Sequence, residues 1–214
     1  MELLIKSLPL LSKGLLTTLW LSVAATAVAT GLGLCLALAQ LFGGRALRWM
    51  VEIYLYVVRG VPLLVLLFAM YYALPYAGVQ VEPTTGGIIV IGTYFGAFMT
   101  EVFRGAVLAV PKGQWEAGRA IGMRTHTILR DVVLGQAVRV AGAPYINTAI
   151  MVVKGTSLVA IIGLADVTFV GRQIVERTLA PFIIFGAVAF AYFVICYALS
   201  RLGRYAEKKA TYVH

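Results

Sequence analysis

From Gly14 to Gly44 the chain carries no Asp, Glu, Lys or Arg. The same is true from Gly60 to Val81, from Pro83 to Thr100 and from Thr178 to Ser200. A fifth run, Val140 to Ala165, is broken by a single charge, Lys154. Each run is close to or above the roughly 20 residues that a helix needs to cross a hydrocarbon layer. Hydrophobic residues make up 61% of the 214 and charged residues 13%, where a soluble domain carries roughly a quarter charged. The surplus apolar surface must face lipid. The sequence therefore predicts an all-α integral membrane protein of about five transmembrane helices. A cleaved signal peptide is the competing reading of the first run, with Ala37-Leu38-Ala39 as a weak cleavage pattern. The run is longer than the roughly 7–15 apolar residues of a signal core, so a retained helix is expected.

The charges that remain are unevenly placed. Arg45 and Arg48 follow the first run. Lys112, Arg119, Arg124, Arg130 and Arg139 lie between the third and fourth, and Arg201, Arg204, Lys208 and Lys209 follow the fifth. The alternate loops hold fewer: Lys6, Lys13, Arg172 and Arg177. Basic loops stay in the cytoplasm, so the N-terminus is expected outside and the C-terminus inside. A net charge of +9 spread over loops that flank lipid does not suggest nucleic-acid binding. Cys35 and Cys196 lie inside predicted spans and suggest neither a disulfide framework nor a metal site. His126 and His214 are too far apart to suggest one.

Along the chain, residues 1–13, with Pro9, are expected to form a short interfacial segment before a span over Gly14–Leu41. Gly31 and Gly33 would allow that span close helix contact. Arg48, Trp49, Glu52, Tyr54 and Tyr56 suggest an amphipathic interfacial helix. The second span is expected from Val61, with Pro62 in its first turn, to Pro75. VEPTTGG should be an exposed turn, followed by a third span over Gly86–Phe103 with Gly92 and Gly96 four residues apart. The fourth is expected to begin near Pro144, and the fifth to run over Pro181–Leu202. Residues 1–214 form a single membrane domain without internal repeats. Its longest soluble stretch is the loop at about 111–139.

That loop holds a polar island, EAGRAIGMRTHTILRDVVLG (Glu116–Gly135). Glu116 suits a helix N-terminus, where its charge complements the dipole. Gly122 and Thr125 interrupt, and a second helix restarts near His126. Such a helix–Gly–helix can pack one side on the spans and offer the other to a partner, or serve as an ordinary amphipathic linker. Glu116-Ala117-Gly118, Gly122, Ile128 and Val133-Leu134-Gly135 resemble the EAA loop of ABC-importer permeases. RGVPLLVLLF (Arg59–Phe68), TEVFRGAVLAVPKGQWEA (Thr100–Ala117) and KGTSLVAIIG (Lys154–Gly163) resemble the polar-amino-acid branch of that family, so the likeness covers nearly the whole chain. The chain departs from the pattern at Gly118, at Gly135 and at Gly155. Gly118 and Gly135 suggest a slightly looser loop, and Gly155 leaves the substrate's identity open.

The resemblance implies a type I importer permease in the bacterial inner membrane. Its coupling loop, with Glu116, Ala117, Gly118, Arg119, Gly122, Met123 and Arg124, would dock on a dimeric ATPase. ATP and Mg would be bound by that partner and no cofactor by this chain. A second permease subunit, identical or related, and an extracytoplasmic amino-acid-binding protein would complete the transporter. In keeping with this, the sequence has no G-x-x-x-x-G-K-[ST] phosphate loop, so the chain is not expected to be an enzyme.

Lys154 lies in a span, where a charge is costly and usually faces a cavity or a partner. With Thr156 and Ser157 it either lines a substrate pathway or is a structural lysine that snorkels or pairs. Glu101, a further pathway candidate, stands three residues from Arg104, on one helix face, which favours a structural or gating pair. Arg59 reads as an interfacial anchor or structural residue, and Asp166 as exposed to the outside. A self-contained channel or secondary transporter is the alternative function. A membrane enzyme is disfavoured because no nucleophile, base or metal constellation is evident.

Overall fold

The computed structural model describes residues 2–211, with side chains through Tyr205. His214 and the side chains of Lys208 and Lys209 lie outside the described residues. Helix α1 (Glu2–Phe42) is continuous, about 60 Å long, and takes Pro9 in its stride. Residues 2–13 are thus helical and continuous with the expected span instead of forming a separate segment. The bond that Pro9 cannot donate would go to Ile5, an exposed residue, so no packed neighbour is disturbed. The buried positions of α1 recur every three or four residues from Leu11 through Gly14, Thr18, Leu21, Ala25, Ala29, Gly33 and Ala37. They form one narrow stripe of mostly small side chains.

Helix α2 (Arg45–Gly60) buries only Val51 and Leu55. Those two pack on Ala97 and Leu36, and the Tyr54 hydroxyl donates to the Thr93 carbonyl. The amphipathic helix expected here is therefore present and longer than expected. Pro62 ends it by removing a backbone donor, and serves as the N-cap of the next element. The chain bends by 98° into α3 (Leu63–Phe68), a π-helical turn (Ala69–Ala73) and a 3-10 turn (Leu74–Ala77). Leu63–Ala77 spans about 22 Å at most, short of the ~30 Å hydrocarbon core. Among the described residues four helices are long and apolar enough to cross a membrane, and this bent pair makes a fifth crossing if counted as one.

VEPTTGG is not a turn but the start of α4 (Pro83–Leu108). The Glu82 carboxylate accepts from the backbone N–H of Thr84 and Thr85 at 3.0 and 2.8 Å, and hydrogen bonding from Thr84, side chain first and then backbone, with that from Thr85, holds its pKa down to about 2. Pro83 takes the first helical position, where no donor is needed. Gly92 lies against Val28, Gly96 against Leu32, and Gly33 against Met99. These contacts advance together along both chains, so α1 and α4 run parallel and close. Leu21, Ala25, Leu67, Ile91, Phe95, Met99, Val152 and Ile162 fill the core between them and the later helices.

After α5 (Lys112–Ala120) the chain forms one rod over Thr125–Ile162: α6 (Thr125–Ile128), a π turn (Leu129–Val133), α7 (Leu134–Gly155) and a 3-10 turn (Thr156–Ile162). The fourth span does not begin at Pro144, which sits inside α7. The carbonyl that Pro144 leaves free belongs to Val140, an exposed residue, and the Thr148 hydroxyl turns back onto the Pro144 carbonyl at 3.0 Å. Helix α8 (Val167–Thr178) was not anticipated from sequence, and α9 (Pro181–Thr211) completes the fold.

Asp166 is fully buried, contrary to the exposed position expected of it. Its carboxylate caps α8 by accepting from the Phe169 N–H at 2.8 Å, and accepts from the Tyr192 hydroxyl at 3.1 Å. The neighbouring Val167 N–H donates to the Thr18 hydroxyl at 3.1 Å. These bonds tie α8 to both α9 and α1.

Candidate functional site: the α5 hairpin and an adjoining polar cavity

Helix α5 ends by a rule that the sequence displays at Gly122. The Gly122 N–H donates to the Arg119 carbonyl at 2.9 Å and the Met123 N–H to Gly118 at 3.0 Å. This is a Schellman cap, and it requires Gly122 at φ +81°, a left-handed conformation that suits glycine. The chain then turns back at Arg124 into α6. Trp115 and Gly118 face inward, where Trp115 packs on a cluster that includes Val107, Val110, Ile128 and Val133. Glu116, Ala117, Arg119 and Arg124 are exposed and Met123 is half-buried. Ile121 stands 77% exposed at the tip. The hairpin is thus anchored on one side and bare on the other. A cavity of about 470 Å³ separates its base from the end of α1, lined by Phe42, Val107, Trp115, Glu116, Arg119 and Thr125 among others.

A larger cavity, about 700 Å³, opens between α1, α2 and α4. Gln40, Arg48, Glu52, Arg59, Glu101 and Arg104 line it with Leu55, Tyr56 and Gly60. Glu101 and Arg104 form the i,i+3 pair expected from their spacing, with Arg104 Nη2 donating to Glu101 Oε2 at 2.7 Å. Arg48 donates to the Leu41 carbonyl at 3.2 Å. The Arg59 guanidinium lies 5.3 Å from the centre of the Phe98 ring. Sequence reasoning linked Glu101 with Arg104 but missed that Gln40, Arg48, Glu52 and Arg59 join them. The signal was present: positions 48, 52 and 59 fall on one face of a helix.

Lys154, Thr156 and Ser157 do not line this cavity and do not converge. Lys154 is exposed on the chain's surface and Ser157 is half-buried, its hydroxyl donating to the Lys154 carbonyl at 2.7 Å. Thr156 is fully buried and donates to the Val153 carbonyl. Between them Gly155 abuts Phe95 and Leu63. A Cβ there would stand 2.8 Å from Phe95 Cε2 and 3.3 Å from Leu63 Cδ2. The departure at this position thus goes with an aromatic ring that occupies the space of a side chain. Among the described residues no three His, Cys, Asp or Glu side chains gather where they could hold a metal ion.

Residues 29–212 match the family of binding-protein-dependent transport system inner membrane components. The chain is 38% identical over 209 residues to the L-cystine transport system permease protein TcyB of Bacillus subtilis, covering 94% of this chain and 89% of that one. It is 35% identical to the glutamine transport system permease protein GlnP of Escherichia coli, covering 95% and 94%. The solved structure of an amino acid ABC transporter with histidines superposes with a TM-score of 0.91 at 30% identity, over 96% of each chain. An inward-facing form of the MetNI methionine ABC transporter shares the fold, at a TM-score of 0.71 and 20% identity. These relatives do not favour a self-contained channel or secondary transporter. The match over residues 29–212 and the 38% identity over 94% of this chain show that it belongs to the family of binding-protein-dependent transport system inner membrane components, and the helical bundle with its α5 hairpin is in keeping with that.

Proposed function

We propose that this chain is the permease subunit of an ATP-driven importer for amino acids, coupled to a separate ATPase through the α5 hairpin. The observation that carries the reading is the two-sided character of that hairpin. Gly118 and Trp115 fix it to the bundle, while Glu116, Ala117, Arg119 and Arg124 are free to meet a partner. A helix held this way moves as a body with the spans to which it is fixed. ATP and Mg would act on the ATPase dimer. A second permease subunit would close the pathway, an external binding protein would deliver substrate, and the bacterial inner membrane would hold the assembly with the α5 side in the cytoplasm. Lys154 and Ser157 remain pathway candidates through their position in a span. Thr156 supports them from within.

The test is to purify the tagged chain from its native cells in mild detergent, identify what accompanies it, and reconstitute the complex for amino-acid uptake. A co-purifying ATPase with ATP-dependent uptake is the expected result. A chain that is isolated alone and still transports after reconstitution would overturn the reading.

A further inference from the structure

The 700 Å³ cavity contains polar groups that the fold itself leaves unused. Glu101 and Arg104 satisfy each other, and Arg48 is bonded to Leu41. Arg59 and Glu52 form no ion pair among the described residues. Gln40 Oε1 is sealed from solvent and has no donor within hydrogen-bond reach. Being sealed, that oxygen is out of a ligand's reach, which leaves Glu52 and Arg59 as the open groups.

Hydrocarbon is not what covers this cavity. Arg48, Glu52 and Arg59 are exposed on its open side, beside the spanning helix α4. Charges at such a place face water or protein, not hydrocarbon. The volume lies within the roughly 300–1,000 Å³ of small-molecule sites.

The open groups are one forked cation and one carboxylate. A guanidinium matches a carboxylate through two parallel N–H donors. A carboxylate suits an ammonium, which has three donors and no acceptor. Glu52 and Arg59 are seven residues apart on α2, about 10 Å along the axis, so both side chains can reach one small zwitterion between them. Leu55, Tyr56 and Gly60 make up the rest of that wall and offer little that would discriminate between side chains.

We propose that this cavity is an exit-side binding site for the head group common to α-amino acids, with Arg59 taking the α-carboxylate and Glu52 the α-ammonium. The site rests on the amino-acid importer reading above. It binds substrate after release from the core and before it leaves on the α5 side, and it is blind to the side chain.

Glycine, the head group alone, is the probe. The complex with its ATPase and binding protein is reconstituted so that ATP is consumed inside the vesicles, which are loaded with ATP and glycine, glycine methyl ester or N-acetylglycine. Uptake of a radiolabelled mixture of the common L-amino acids is the readout. Internal glycine is expected to slow uptake, and the ester and the acetyl derivative to do so much less. Arg59→Ala should require about tenfold more glycine for half-inhibition, with partial recovery in Arg59→Lys. Glu52→Gln should narrow the difference between glycine and N-acetylglycine. Equal inhibition by all three compounds, no inhibition, or an unchanged glycine response in both Arg59→Ala and Glu52→Gln would overturn the site. Loss of the second permease subunit in both variants would also overturn it and assign the cavity to assembly. If wild-type vesicles import no amino acid, the importer reading itself fails.

Discussion

Gly118 of α5 lies flat against Ile128 of α6, so closely that a Cβ on Gly118 would stand 2.7 Å from Ile128 Cγ1 and 2.9 Å from Cδ1. Ile128 is fully buried and has nowhere to retreat. The glycine at this third position of the motif therefore tightens the hairpin, contrary to the looser loop suggested by the sequence.

Two opposing terms set the outcome of substitution at Gly118. Alanine gains about 1 kcal/mol of helix propensity and loses about 1–3 kcal/mol to overpacking. Gly118→Ala should therefore cost thermal stability by up to about 2 kcal/mol, whereas Gly118→Leu should detach α5 and abolish ATP-driven uptake. Gly118→Leu with normal uptake would show that the anchored face of the hairpin does not matter.

Gly122 makes a different demand. Its φ of +81° and the two capping bonds leave its Cβ position open, with no atom within 4 Å. Substitution there is a matter of backbone strain alone, about 1–2 kcal/mol for an L-residue in the left-handed region. Gly122→Leu is expected to leave the chain in the membrane, with ATP hydrolysis continuing and uptake falling. Parallel measurement of phosphate release and amino-acid uptake in vesicles checks this, and unchanged uptake per ATP would count against coupling through this turn.

Much of this arrangement was legible in the residues. The hairpin break at Gly122 follows from glycine's tolerance of positive φ, and the Glu101–Arg104 pair from a three-residue spacing. What escaped notice lay where local signals mislead. Pro9 and Pro144 suggested helix ends, yet both sit inside helices because the carbonyls they orphan belong to exposed residues. Helix α8 was hidden between two spans, although Asp166 followed by Val167, Val170 and Ile174 is an N-cap and an apolar stripe. The one-face pattern of Arg48, Glu52 and Arg59 was readable, but the cavity was not, because Gln40, Arg59 and Glu101 come from three helices whose contact only the tertiary fold creates.

Asp166 gives a pH prediction. Burial pushes its carboxyl above the usual aspartate range, and the bonds from Phe169 and Thr168 pull only partly the other way. A raised pKa means that the neutral form is favoured in the folded chain. The contribution to stability is then fully present below the ordinary value near 3.9 and is lost as pH rises through the elevated one. Amide exchange in α8 should accordingly quicken as pH rises through that window, after correction for the intrinsic rate. Asp166→Asn keeps an acceptor for the cap and should flatten the dependence. Asp166→Leu removes the cap and should cost about 1 kcal/mol or more. A pH response in Asp166→Asn that matches the wild type would assign the effect to another group.

The two glycines of α1 separate packing from propensity within a single turn. Both were expected to permit close helix contact, but only Gly33 does so. A Cβ at Gly33 would stand 2.5 Å from Met99 Cβ and 3.0 Å from the Met99 carbonyl carbon and the Thr100 nitrogen, while Gly31 has nothing within 4 Å. The atoms facing Gly33 are backbone or directly attached to it, so no rotamer change relieves the clash. The helices themselves would have to part. Gly33→Ala should therefore destabilise the chain by about 1–3 kcal/mol. Gly31→Ala, which gains propensity against open space, should be neutral or stabilising by up to about 1 kcal/mol. Thermal unfolding of the two variants in the same detergent makes the comparison. Equal losses would mean that backbone flexibility of α1, not its contact with α4, is what both glycines serve, and a loss confined to Gly33→Ala would fix the parallel α1–α4 contact as the frame on which the polar cavity is built.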